Sequence, residues 1–180
     1  MKNNKIFKAR YKFYAYISLL IVFLTFFIAS IMLIKDYGII ATELHITIIL
    51  LIILIIMISF SILFLILILT YHTLRYEFKD NHLLLIYGPF KDKIFYKDIV
   101  SWENKDLEFN PLSSLRMPGI ALFNCYFANE GKVRMFATSM GSKILLVYTK
   151  KRKYGLTPQN EEEFVKELER RVKEIKEEVK

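Results

Sequence analysis

The residues able to do chemistry in this chain are few and scattered. Its histidines are His45, His72 and His82 and its single cysteine is Cys125. No pair has the spacing that would set two metal ligands, or a base and a nucleophile, side by side. Cys125 lies within Leu122-Phe-Asn-Cys-Tyr-Phe127, an apolar and aromatic run that buries a thiol and leaves it inert. No glycine-rich phosphate loop occurs. Without a converging set of titratable groups, the expectation is a chain that is not an enzyme and uses neither metal nor cofactor.

Two segments could instead make contacts. The first is Lys150-Lys151-Arg152-Lys153, four consecutive cations at a predicted turn. It is either a solvated hairpin tip or an electrostatic contact for anionic lipid or an acidic partner, the attraction reaching about 8–10 Å at ordinary salt. The second is Phe109–Gly119, a Pro- and Ser-containing stretch around Arg116 and Met117. Long, partly apolar loops on rigid scaffolds are where binding concentrates, although such a loop can equally cover its own core.

Positioning falls to two very different halves. Phe13–Ile34 and Ile46–Leu69 contain no charged residue. A helix over the first would reach about 33 Å, enough for a hydrocarbon core of about 30 Å. The second is apolar on every face and must be surrounded, and a chain of 180 residues has too little protein left to wrap it. Two transmembrane helices are expected, over 13–34 and 46–70. The first is too long for the apolar core of a cleaved signal peptide, and a short loop, 35–45, leads directly into the second.

Basic residues set the orientation. Lys2, Lys5, Lys8, Arg10 and Lys12 precede the first run, whereas the connecting loop has only Lys35 against Asp36 and Glu43. The loop is therefore expected outside, with residues 1–12 as a basic cytoplasmic leader and both termini cytoplasmic in a multi-pass protein of the cell membrane. The net charge of +8 suits a chain beside an anionic leaflet. No recognised nucleic-acid motif accompanies that charge, so no nucleic-acid partner is expected. The lone cysteine fits a reducing compartment. Thr25, Ser30, Thr47, Ser59 and Ser61 are the polar residues of the runs and are expected to serve helix–helix contacts.

Beyond Leu74 the pattern changes to alternation. Arg75–Phe78, Leu83–Tyr87, Lys93–Lys97, Ile99–Glu103, Ala121–Phe127, Val133–Ala137, Ile144–Thr149 and Tyr154–Thr157 read as short strands divided by turn residues such as Gly88-Pro89 and Asn129-Glu-Gly131. About seven strands over some 80 residues fit a small barrel or sandwich. Asn160 with Glu163 forms a capping box, and Phe164, Leu168, Val172, Ile175 and Val179 make an apolar stripe that would close the β domain.

Three stretches carry a resemblance. Tyr87–Trp102 is similar to a glycine-started turn, strand and Asp-Ile corner, Gly131–Thr138 to a Gly-Lys-aromatic-Ala-Thr hairpin, and Thr157–Phe164 to a Thr-Pro, acidic, Phe helix entry. Together they resemble the bacterial pleckstrin-homology-like families over roughly residues 75–176. The resemblance implies a membrane-anchored α+β protein whose residues 71–180 form a PH-like barrel or sandwich closed by a C-terminal helix. It also implies a non-catalytic binding module for a protein partner or a second copy, with an anionic-lipid surface sensor as the alternative. Relatives in the wider superfold hold inositol phosphates with cations around the first hairpin. Here that turn is the charge-balanced Lys79-Asp-Asn-His82.

Overall fold

The computed structural model describes residues 4–10, 13–40, 44–108, 110, 116–117, 120–139 and 141–178. They form two compact units. One comprises Met1–Ala15 with Tyr71–Lys180, and the other Tyr16–Thr70.

The second unit is built from helices α1 (Phe13–Ile40) and α2 (Leu44–Thr70). Both outrun the expected spans, and α1 continues through Asp36 and Tyr37, which were read as loop, because no proline or turn cluster stops it. Each is long and apolar enough to cross a membrane. Phe26 of α1 stacks on Phe60 and Phe64 of α2, with ring centroids 5.3 and 6.0 Å apart. The hydroxyls of Thr25, Ser30, Ser59 and Ser61, expected to serve contacts between the helices, donate to the carbonyls of Ile21, Phe26, Ile55 and Met57, one turn back on their own helix.

The first unit holds ten strands among the described residues. Four of them, β1 (Lys5–Lys8), β2 (Arg75–Phe78), β3 (His82–Tyr87) and β4 (Phe90–Phe95), form an antiparallel sheet in the order β1-β2-β3-β4. The others are β5 (Ile99–Lys105), β6 (Arg116–Met117), β7 (Ile120–Phe127), β8 (Gly131–Ala137), β9 (Ile144–Thr149) and β10 (Lys153–Leu156), ordered β5-β9-β10-β8-β7-β6.

Of the expected barrel or sandwich, this pairing excludes the closed barrel. A 3-10 turn, Tyr96–Asp98, separates β4 from β5, and β5 pairs with β9 and not with β4, so the sheets stay separate and no closed barrel is found. The strand count rises because the leader supplies β1 and the long loop supplies β6. The β9–β10 hairpin inserts β10 beside β8, in parallel, with Lys153 opposite Val133 and Tyr154 opposite Arg134. Gly155 permits this, since a Cβ there would run into the Met135 sulfur and the Ile144 side chain.

Residues 5–10 of the expected basic leader contribute to the β unit. Phe7 is buried with its ring 5.5 Å from Phe78 and 5.3 Å from Phe164. Ala9 N–H donates to the Leu74 carbonyl at 3.2 Å and Arg10 N–H to that of Thr157 at 2.8 Å. Helix α3 (Glu161–Glu178) starts after Asn160, whose carbonyl accepts from Phe164 N–H at 3.0 Å. Phe164, Leu168 and Val172 of its stripe are buried. Val179 lies outside the described residues. Arg171, seven residues on from Phe164 and so on the same face, is buried too, and its guanidinium pairs with Glu167 at 2.8 Å.

Side chains join the two sheets. Tyr76 of β2 donates to the Phe136 carbonyl at 2.7 Å and accepts from Thr157 N–H at 3.0 Å. Burial pushes its phenol up to about 12. Arg134 of β8 pairs with Asp92 of β4.

Candidate functional site

The turn between β9 and β10 is held by one side chain. Thr149 Oγ1 donates to the Arg152 carbonyl at 2.7 Å and accepts from Arg152 N–H at 3.1 Å, while Lys150 N–H donates to the Asp98 carbonyl at 2.9 Å. The tip is thus fixed from both sides before anything binds it.

Its four cations do not act together. Lys150 is exposed. Lys153 is half-buried, and its ammonium donates to the Glu130 carboxylate at 2.8 Å and carbonyl at 2.9 Å. Lys105 also pairs with Glu130, and these two lysines, Lys105 foremost, hold its carboxyl below the ordinary carboxylate range. Lys151 and Arg152 are exposed and form no ion pair among the described residues.

The turn borders a depression of about 520 Å³ lined by Asn124, Lys132, Arg134, Lys151, Arg152 and Lys153. Lys132 and Arg134 lie two apart on β8 and so share a face. The parallel register brings β10, and with it the turn, alongside them. Sequence reading missed these two because nothing local announces a parallel pairing, although their i, i+2 spacing marks a basic strand face. Arg134 is committed to Asp92, whereas Lys132 is exposed and has no ion pair among the described residues.

Beside Asn124 stands Phe123, a non-glycine residue at φ +64°. That conformation stores about 1–3 kcal/mol of strain. Its partly exposed ring packs edge-on against Phe90 of β4, centroids 5.0 Å apart.

The second candidate is only partly visible. Arg116 and Met117 form β6, paired with Ala121 and Ile120, while their side chains, Pro118, Gly119 and residues 111–115 lie outside the described residues. His45, His72 and His82 stand on three separate elements. Burial, then Lys93 and Lys79, lowers the His82 pKa below its ordinary value. Cys125 is fully buried in an apolar cluster with Val133, Met135 and Ile144. Among the described residues no group of three or more His, Cys, Asp or Glu side chains could hold a metal.

Two sheets, a closing helix and a site on a hairpin turn are the setting for the comparison with known families. A family model described as Bacterial PH domain matches residues 74–172. The chain belongs to the bacterial PH domain family. No curated protein and no solved structure matches it. Membership makes the domain a binding module of a generally non-catalytic kind. The first hairpin of this PH domain, whose turn closes with Lys79 N–H donating to the His82 carbonyl at 3.0 Å, has Glu77 beside it pairing with both Arg75 and Lys79. Arg75 and Lys79 of that hairpin therefore each have a carboxylate partner, in contrast to Lys151 and Arg152 of the 150–153 turn.

Proposed function

We propose that this protein is a membrane-anchored, non-catalytic adaptor: the helical hairpin holds it in the cell membrane and the PH domain binds a partner at the cytoplasmic face. The observation that carries the reading is the β1–β2 pairing. Residues before α1 and residues after α2 share one folded unit, so a chain that leaves that unit at α1 comes back to it after α2. A folded domain occupies one side of a bilayer, which makes two crossings the matching topology. The basic excess flanking the hairpin supports the cytoplasmic side.

The partner in this reading is a protein of the same membrane or a second copy, since shared tethering raises effective concentration without new contacts. Lys150–Lys153, with Arg116 and Met117, are the proposed contacts. A sensor of anionic lipid is the second reading, favoured by the uncompensated charge of Lys151 and Arg152.

Crosslinking of full-length protein in its native membrane, with protease access from each side, tests the proposal. One reproducible membrane partner and digestion of the PH domain only from the cytoplasmic side are expected. Digestion of that domain from outside intact cells would invert the topology, and recovery of lipid alone would remove the protein partner.

A further inference from the structure

The depression beside the basic turn is unbalanced in a specific way. Of its five cations, Arg134 is matched by Asp92 and Lys153 by Glu130, while Lys132, Lys151 and Arg152 have no carboxylate partner among the described residues. Three like charges are held around one concavity by a strand and by a turn that Thr149 fixes. Lys151 and Arg152 also border a smaller depression with Asp92 and Asp98, but neither carboxylate forms an ion pair with them among the described residues, so an anion between the three cations would relieve their repulsion.

The lining also says what kind of anion. All six residues are polar or charged. No apolar side chain is available to read an acyl chain or a hydrophobic peptide residue, so the occupant is small, hydrophilic and multiply charged. A guanidinium fork and two ammonium groups match a tetrahedral oxyanion carrying nearly two charges. One carboxylate would leave two of the three cations uncompensated. A volume of about 520 Å³ leaves room for the group that carries the oxyanion.

We infer that this depression binds a phosphate monoester, with Lys132, Lys151 and Arg152 as its charged contacts and the Asn124 carboxamide on its wall. The inference rests on the reading of the PH domain as a binding module. The monoester is either the headgroup of a lipid such as phosphatidic acid or a soluble phosphate ester.

The test uses the full chain in uncharged detergent and calorimetric titration with glycerol 3-phosphate, then with micelles containing phosphatidic acid or phosphatidylcholine. A triple variant, Lys132→Gln, Lys151→Gln and Arg152→Gln, is compared with Lys91→Gln, Lys166→Gln and Lys176→Gln, which removes the same charge from exposed positions elsewhere. Binding at least tenfold weaker in the first variant and unchanged in the second is expected. It should also weaken as pH falls below about 6, where the monoester gains a proton.

Binding of glycerol 3-phosphate and phosphatidic acid alike, or of phosphatidic acid more tightly, assigns the site to a lipid headgroup. Binding of glycerol 3-phosphate alone assigns it to a soluble ester. Equal loss in both variants, no binding by the unaltered chain, or tighter binding of a hexaglutamate peptide would each overturn the inference. Arg152→Gln alone, expected to weaken binding severalfold, repeats the test with minimal change to the fold. Membrane fractionation of the variants reports on anchoring separately, so failure of either idea leaves the other readable.

Discussion

Ile55 on α2 and Val100 on β5 are almost equally exposed, at 62% and 61%. Ile55 stands among isoleucines and leucines that are exposed as well, whereas Val100 is followed by Ser101 and preceded by the Lys97-Asp98 corner. In the β unit exposed apolar residues such as Phe90, Phe95 and Val100 are outnumbered by sequestered ones, Tyr76, Phe78, Leu85 and Phe136 among them. In the hairpin unit exposure is the rule. Apolar side chains are thus placed by opposite criteria, the difference that the proposed membrane anchoring calls for: water around one unit and hydrocarbon around the other.

The comparison breaks most easily at its aromatic centre. Phe164 is fully buried, with the rings of Phe7, Tyr76 and Phe78 between 5.0 and 5.6 Å away. Phe164→Ala is expected to destabilise the β unit by about 3–5 kcal/mol, and Phe7→Ala, on an edge strand, by an amount near the lower end of that range. Denaturant unfolding followed by the fluorescence of Trp102, the only tryptophan, checks both. An unaltered midpoint for Phe7→Ala would detach β1 from the unit.

A matched pair sharpens the contrast. Ile55→Lys is expected to disfavour membrane integration by about 2.5–3.5 kcal/mol, while Val100→Lys changes stability by no more than about 0.5 kcal/mol. Glycosylation-reporter insertion assays read the first and unfolding the second. Similar tolerance at both positions would mean that the two units face the same solvent.

Electrostatics of the β unit come next in size. Glu130 titrates below its ordinary range through Lys105 and then Lys153, so its folded value is depressed. The stability it contributes is complete above the unfolded value of about 4.3 and disappears as pH falls through the folded value. Glu130→Gln should therefore cost about 1–2 kcal/mol at pH 7 and progressively less below about pH 4, measured by unfolding at both pH values. A constant difference would assign its role to packing.

The smallest effect belongs to the hairpin hydroxyls. Ser59 donates to Ile55 of its own helix at 2.7 Å, so Ser59→Ala is expected to alter helix association by less than about 0.5 kcal/mol in a dimerisation or thermal assay.

Much of this was legible beforehand, for reasons that differ between the units. Continuous apolarity read out the helices, and period-two alternation with Gly131 at the turn read out β7 and β8, because those signals are local. Asn160 and Glu163 announced α3 in the same way. The site was legible only as a run of cations. That Lys153 turns to Glu130, that Lys132 and Arg134 join Lys151 and Arg152, and that the sheets never close all depend on pairings between residues far apart in sequence. β1 was hidden for another reason: Lys5-Ile-Phe-Lys8 is too short and too basic to read as a strand until its partner, 70 residues later, is known.

The hydrogen bond from Ala9 to Leu74 has an architectural consequence. It closes the base of the excursion that contains both helices, which makes the hairpin an insertion between the first two strands of a discontinuous β domain. The family match, residues 74–172, takes in every strand after β1 and the first part of α3. Excising the hairpin while joining residue 10 to residue 71 would keep the sheet whole, whereas a chain begun at residue 75 would expose the edge of β2 and invite a foreign strand onto it.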